Sequence, residues 1–344
     1  MPAEWEQQAF VQLTWPHKDT DWALMLDEIT ATYIKMAQEI VKHEPLLIVV
    51  PSRHDLPEAV LKMGNTTIVE CPTNDTWARD HGFITLVESR GNGNVSARLL
   101  LDFKFNGWGE KFEADKDNAI NKHLWEQAIS QPSSHNPQLT TLDYESHLDF
   151  VLEGGSIESD GKGTIFTTTC CLLAPNRNEK ARLTPYATLQ EKIEQELLHR
   201  LRAQRIVWLN CRAMPGDDTD GHIDTMVRIA PNDTLLYNKG IGCEEQLSAL
   251  RTLEGKPYRL IELPLPDRIY EGQESGDAQL PATYANFLII NGAVLVPTYG
   301  QPDNDAEALK LIASAFPDRE IVGIDSCSII QQHGSIHCCT MQYY

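Results

Sequence analysis

The sequence predicts an α/β fold assembled from five strand–strand–helix–strand units, set radially as the blades of a propeller are. Three observations predict it. One hairpin–helix–strand order recurs along the chain, the recurrences start near residues 82, 156, 224 and 287, and the unusual polar residues fall just before those starts or near the C-terminus. The spacing leaves room for a fifth unit, built from both ends of the chain. This is a repeat of architecture rather than of sequence. Radial packing would bring equivalent strand ends to one axis, so a site there would draw a residue from each unit boundary.

In chain order, the first clear element is a helix over Asp21–His43. Trp22, Met25, Leu26, Ile29, Tyr33, Met36, Ala37 and Ile40 recur at the three/four spacing of one buried face, and Asp19 or Thr20 is placed to cap it. Strands follow at Gly82–Val87 and Ala97–Phe103 around a Gly91–Gly93 turn, then a helix over Asp115–Ile129 and an unassigned segment near Leu139. Gln131–Gln138, rich in Ser, Pro and Asn, reads as a loop. The next unit is Ser156–Ser159, Thr164–Thr168, a helix over Tyr186–Leu201 and Arg205–Leu209. Asp224–Ile229, Thr234–Tyr237, Cys243–Leu253 and Tyr258–Glu262 repeat that order. So do Phe287–Ile290 and Ala293–Pro297, joined at Asn291-Gly292, a pair suited to a two-residue hairpin turn. A helix over Asn304–Ala315 and a strand over Glu320–Ile324 complete that unit. No linker divides the chain, so residues 1–344 read as a single catalytic domain.

Composition narrows the function. With 29 basic and 49 acidic residues the formal net charge is −20, a poor match to nucleic acid and a good one to small cations. The longest apolar runs, such as Leu46–Val50, are strand-sized, so no membrane span is expected. The first ten residues lack the basic start and apolar stretch of a secretory leader, which points to the cytoplasm. Eight cysteines without CxxC spacing then read as reduced thiols. A core of this size needs no disulfide or metal staple.

The polar residues at the boundaries supply a chemistry. Asn74–Gly82 carries Trp77, Arg79 and Asp80; Val151–Ser156 carries Glu153; Gly216–Asp224 carries Asp217, Asp218, Asp220, His222 and Asp224; His333–Thr340 carries His337, Cys338 and Cys339. Singly, each has an ordinary structural reading: Arg79 as an ion-pair partner of Asp80, His222 and Asp224 as a buried pair, a cysteine as a small apolar residue. Together they suit attack on a cationic carbon. Carboxylates match the planar fork of a guanidinium, a thiolate is a strong nucleophile near neutral pH, and histidine can protonate departing ammonia and then activate water. Trp77 could stack on the guanidinium face.

At these residues the chain resembles the agmatine deiminase family, related to bacterial peptidylarginine deiminases. The resemblance runs through Met1-Pro2-Ala3-Glu4-Trp5-Glu6, Trp15-Pro16, Asp75-x-Trp77-x-Arg79-Asp80-x-Gly82 and Phe105-Asn106-x-Trp108-Gly109-x-Lys111. It continues through Leu152-Glu153-Gly154-Gly155-Ser156, Gly221-His222-Ile223-Asp224, Leu280-Pro281-x-x-Tyr284-x-Asn286-Phe287 and Ile336-His337-Cys338. It implies the five-bladed pentein fold and no metal or organic cofactor. It also implies Cys338 as nucleophile, His222 as general acid/base, Asp80 and Asp224 as the guanidinium clamp, and Glu153 as orienting His222 or assisting the clamp. The family reaction passes through an amidino-thioether and converts agmatine to N-carbamoylputrescine, a step of polyamine metabolism. Departures from the family pattern are His81-Gly82-Phe83, the run Gln332-His333-Gly334-Ser335, Cys339 and Met341.

Agmatine leads as substrate because its far end is an ammonium, which extra acids such as Asp217, Asp218 and Asp220 would hold. Free or peptidyl arginine would instead call for a cation near the pocket or an open cleft. Three competing readings are a metal hydrolase using His222, Asp224, His337 and Cys338, a silent polyamine-binding protein, and amidino transfer to an amine. Cys339 is the alternative nucleophile. The expected partner is a small cationic guanidino compound, with no nucleic acid and no membrane; association into homo-oligomers is left open.

Overall fold

The computed structural model describes residues 1–89, 95–129, 142–178, 188–271 and 278–344. The Gly91–Gly93 turn, the Gln131–Gln138 loop, the segment near Leu139 and the start of the Tyr186 helix lie outside the described residues.

Among the described residues the fold is mixed α/β with five small sheets. Strands β1 (Phe10–Thr14) and β2 (Leu46–Val50) are parallel and joined across helix α1 (Leu26–Ile40), with β3 (Thr66–Glu70) parallel beyond β2. Strands β4 (Ile84–Ser89) and β5 (Val95–Lys104) form an antiparallel pair, and α2 (Asp117–Leu124) leads to β6 (Leu142–Val151), parallel to β5. The same order gives β7 (Ile157–Ser159), β8 (Thr164–Thr168), α3 (Leu189–Arg200) and β9 (Arg205–Leu209). It gives β10 (Val227–Ala230), β11 (Thr234–Asn238), α4 (Glu244–Ala249) and β12 (Arg259–Leu263). It gives β13 (Leu288–Ile290), β14 (Ala293–Thr298), α5 (Pro302–Ala313) and β15 (Glu320–Asp325). Finally β16 (Thr340–Tyr343) pairs antiparallel with β1, so the sheet drawn from both ends of the chain keeps the common order and adds β3. The helices arise because a parallel return to the same sheet needs a long crossover, whereas the antiparallel pairs β7–β8, β10–β11 and β13–β14 close through short turns.

Neighbouring sheets share buried apolar clusters. Leu47, Ile84 and Ile165 meet in one, Val207 and Val227 in another, Leu236 and Ile289 in a third, and Leu288 meets Val11 in a fourth. The fifth sheet thereby packs on the first. Among the described residues no helix is long and apolar enough to cross a membrane.

Two expectations fail locally. The first helix opens with a 3-10 turn over Asp21–Met25 and becomes α-helical only at Leu26. Thr20 does not cap it: its hydroxyl donates back to the His17 carbonyl at 2.6 Å. Nor are all the cysteines reduced, because Cys211 and Cys243 form a disulfide between the loop after β9 and the residue preceding α4.

Candidate active site

Five short segments, each just before the first strand of a sheet, converge on one place. Asp80 sits in the turn Ala78–His81 before β4, Glu153 opens the turn Gly154–Ser156 before β7, and His222 and Asp224 flank Ile223 before β10. Asn286 precedes β13 and Cys338 precedes β16. Glycine makes the convergence possible. A β-carbon on Gly155 would stand 2.6 Å from His222 Nδ1, 2.9 Å from Asp80 Oδ1 and 3.1 Å from Asp224 Oδ2. Three functional groups thus surround a single point that any larger residue would fill.

Cys338 Sγ lies 4.0 Å from Asp224 Oδ2 and 3.3 Å from Asn286 Oδ1, and Asn286 Oδ1 also accepts the Cys338 backbone N–H at 3.2 Å. Burial first, then the charges of Asp224 and Asp80, push the Cys338 thiol well above its ordinary range. Cys339 packs in the core beside Tyr33, and of the two adjacent cysteines it is Cys338 that lines the cavity.

The two aspartates are held differently. Asp80 accepts from Trp108 Nε1 at 3.0 Å and from the Gly155 N–H at 3.1 Å. Burial lifts its carboxyl to about 6; His222 opposes the lift, while Asp224 and Glu153 add to it. Burial also raises Asp224, but the hydrogen bond and charge of His337, with His222 and Arg228, outweigh it and leave Asp224 below its usual range. Among the described residues Asp224 Oδ1 has no hydrogen-bond partner. Arg79 does not pair with Asp80; its guanidinium reaches the His337 carbonyl and the Met341 and Gln342 side chains.

Glu153 does not hydrogen-bond His222. Its Oε1 accepts from Arg177 Nε at 2.9 Å; among the described residues its Oε2 and both ring nitrogens of His222 have no hydrogen-bond partner, and His222 Nδ1 stands 3.6 Å from Asp80 Oδ1. Arg177 continues to Asp220 Oδ2 at 2.6 Å and to the Thr219 carbonyl. Glu153, His222 and Asp224 are completely buried.

A cavity of about 450 Å³ leads to this point, lined by Trp77, Asp80, Trp108, Asp218, Thr225 and Cys338 among others. Trp77 both lines it and packs in the core, its ring seated so closely on Gly334 that a β-carbon there would come within 2.1 Å. The altered Gln332–Ser335 run therefore keeps a glycine at its essential position. His333 Nδ1 lies 2.7 Å from the Gly216 carbonyl and 3.5 Å from Asp218 Oδ2. Of the acidic run, only Asp218 faces the cavity. Asp217 holds its own turn through Thr219 and Gly221, and Asp220 is tied to Arg177 and Lys111. Asp19, Asp21 and Glu113 add acids to the lining, and Lys111 is occupied by Asp220 and the Asp218 carbonyl.

Among the described residues, no three of His222, Asp224, His337 and Cys338 bring ligand atoms within 4.8 Å of one another, so the metal-hydrolase set does not assemble. Sequence reasoning missed Asn286, Trp108 and Arg177 as site residues. Asn286 had a signal: it occupies the boundary of the unit starting near 287, where the radial scheme requires a residue.

The family model described as Porphyromonas-type peptidyl-arginine deiminase matches residues 1–343. The agmatine deiminase of Pseudomonas syringae pv. tomato is 31% identical over 371 residues, spanning 99% of this chain and 94% of that protein. Among solved structures, a provisionally named arginine deiminase from Porphyromonas gingivalis shares 42% identity at a TM-score of 0.84, covering 100% of this chain and 97% of that one. A substrate-bound agmatine deiminase from C. jejuni shares 31% identity at a TM-score of 0.84, covering 100% and 95%.

Proposed function

The chain belongs to the Porphyromonas-type peptidyl-arginine deiminase family, an enzyme acting on guanidino groups, and from that premise we propose that it hydrolyses agmatine to N-carbamoylputrescine and ammonia through a thioether on Cys338. The observation that carries the proposal is the meeting of Asp80, Asp224 and His222 around the space left by Gly155, with the Cys338 sulfur 4.0 Å from Asp224.

Asp80 and the free oxygen of Asp224 grip the guanidinium through charge-assisted hydrogen bonds. Burial and the negative field keep Cys338 protonated; the bound cation offsets that field, and the thiol passes its proton to His222 as the thiolate forms. The thiolate adds to the guanidinium carbon, and the carbon–nitrogen bond to the terminal nitrogen breaks as His222 delivers a proton to the departing ammonia. His222 then takes a proton from water, whose oxygen adds to the amidino carbon and expels the thiolate. The net change is agmatine plus water to N-carbamoylputrescine plus ammonia. Glu153, anchored by Arg177, supplies negative charge beside His222. Trp77 walls the cavity, and Asp218 with the acids at its mouth receives the far ammonium.

The reading extends to the fold. Residues 1–344 form one catalytic domain whose five sheets are blades around this site, and the enzyme works in the cytoplasm in polyamine metabolism. The shared cluster between the fifth sheet and the first supports the ring. A second reading, free or peptidyl arginine as substrate, is favoured by Lys116, a cation lining the cavity that could meet a carboxylate. Ammonia release from agmatine, arginine and a blocked arginyl peptide ranks these substrates. We expect agmatine to be turned over far faster, with quenched reactions carrying the amidino mass on Cys338. A reversed ranking overturns the agmatine assignment, and an adduct on any other cysteine overturns the mechanism.

A further inference from the structure

Beside the thiol chemistry lies a second grouping that this chemistry does not use as a whole. Glu153, Cys171 and His222 each place one donor atom within 4.8 Å of the other two, and all three side chains are fully buried. Cys171 sits in the helical turn Thr169–Leu172 just after β8, its N–H capped by the Thr168 hydroxyl at 3.3 Å. Among the described residues, Glu153 Oε2 and both nitrogens of His222 have no hydrogen-bond partner, His222 Nδ1 standing 3.6 Å from Asp80 Oδ1. A buried polar atom left without a partner is costly, so a ligand that satisfies several at once is strongly rewarded.

The donors are one sulfur, one imidazole nitrogen and one carboxylate oxygen, a borderline-soft set that suits zinc. Zinc bonds of about 2.0–2.3 Å place such tetrahedral donors roughly 3.3–3.6 Å apart, so a spacing within 4.8 Å needs to contract by about 1.5 Å or less. Charge is also favourable. Glu153, Arg177, Asp220 and Lys111 form a linked, charge-balanced set, and the single positive charge added by a zinc ion with a thiolate falls beside the carboxylates of Asp80 and Asp224, which interact with His222.

We propose that Glu153, Cys171 and His222 form a binding site for a divalent transition-metal ion, zinc foremost, and that its occupation takes His222 out of proton transfer and stops turnover. Binding forms a metal–sulfur bond and releases the Cys171 proton to solvent, with no change of oxidation state; water completes the fourth position. The inhibitory consequence rests on the role proposed above for His222, whereas the binding does not.

The test uses the full chain freed of metal by a chelator, titrated with Co²⁺ and then Zn²⁺. One equivalent of Co²⁺ should give a near-ultraviolet thiolate-to-metal band that Zn²⁺ bleaches. Cys338→Ser should keep the band, while Cys171→Ser and Cys171→Ala should lose it and bind Zn²⁺ at least 100-fold more weakly, with melting curves confirming that each variant is folded. Glu153→Gln, which preserves volume, should also weaken binding. In turnover assays Zn²⁺ should inhibit the native enzyme reversibly, and Cys171→Ser should retain basal activity and resist inhibition by the same 100-fold. A band that survives loss of Cys171, or disappears with Cys338, overturns the site. Tight binding by a protein that turns over no guanidino compound would leave the site standing and overturn the proposed function instead.

Discussion

His337 Nδ1 stands 2.7 Å from Asp224 Oδ2, and its other ring nitrogen stands 2.8 Å from Glu4 Oε2. Glu4 is fixed in turn by Arg228 Nη2 at 2.6 Å and by the Ile289 N–H at 2.8 Å. A residue near one end of the sequence therefore steadies the Asp224 carboxylate, proposed above as half of the clamp, through the histidine adjacent to the sulfur. Asp224 Oδ2 is committed to this arrangement, while among the described residues Oδ1 has no hydrogen-bond partner.

Removing that support should weaken the clamp without touching the nucleophile. His337→Gln and Glu4→Gln are each expected to lower kcat/KM by about 10- to 100-fold, the worth of one charge-assisted contact of roughly 1.5–3 kcal/mol. Because His337 is a main reason that Asp224 stays ionised, the acid limb of the pH profile should move upward in His337→Gln. An unchanged profile would mean that His337 only fills space.

Asp80 has to be ionised to hold a cation, and burial lifts its carboxyl to about 6. Its charged form is lost as pH falls through that value, so kcat/KM should drop below about pH 6 and level off above it. Asp80→Asn should lower kcat/KM by at least 30-fold on the plateau, for loss of about 2 kcal/mol or more. Initial rates from pH 5 to 9 check both points.

The Cys338 thiol, raised by burial and by two carboxylates, is protonated at rest. A neutral alkylator such as iodoacetamide should therefore label it slowly at pH 7.5. A cationic amidine of similar size, 2-chloroacetamidine, should label it more than 100-fold faster, since it brings the compensating charge with it. Intact mass measured against time follows both, and Cys338→Ser should accept neither at this position. Equal rates would remove the substrate-assisted ionisation argued above.

Gly155 is not among the residues held at positive φ, so its requirement is spatial. In Gly155→Ala the methyl group occupies the meeting point of His222, Asp80 and Asp224. Turnover should fall by 1,000-fold or more while stability falls by only about 1–3 kcal/mol, the usual cost of overpacking. Steady-state kinetics beside a denaturant melt distinguishes loss of the site from loss of the fold.

What could be read from the sequence was local or positional. The Asn291-Gly292 pair announced its hairpin, and the polar residues before each first strand marked Asp80, Glu153, His222, Asp224 and Cys338. What escaped was pairing between distant residues, which leaves no periodic trace. Arg177 with Glu153, Cys211 with Cys243, and Arg79 with the β16 strand are contacts of this kind. Adjacency even misled: Arg79 and Asp80 are neighbours in sequence, yet the helical turn sends their side chains to different partners.

Strand β16 lies against β1, with Tyr343 opposite Phe10 and their rings stacked 4.4 Å apart. The sulfur enters just ahead of β16, so it reaches the carboxylates only after regions at opposite extremes of the polypeptide have found each other. Encounters of that range are slow compared with the closing of hairpins. Activity regained during refolding is therefore a clock for the last encounter, running behind any spectroscopic sign of helices and strands. A chain halted before that step stays mute toward its substrate, however much secondary structure it has acquired.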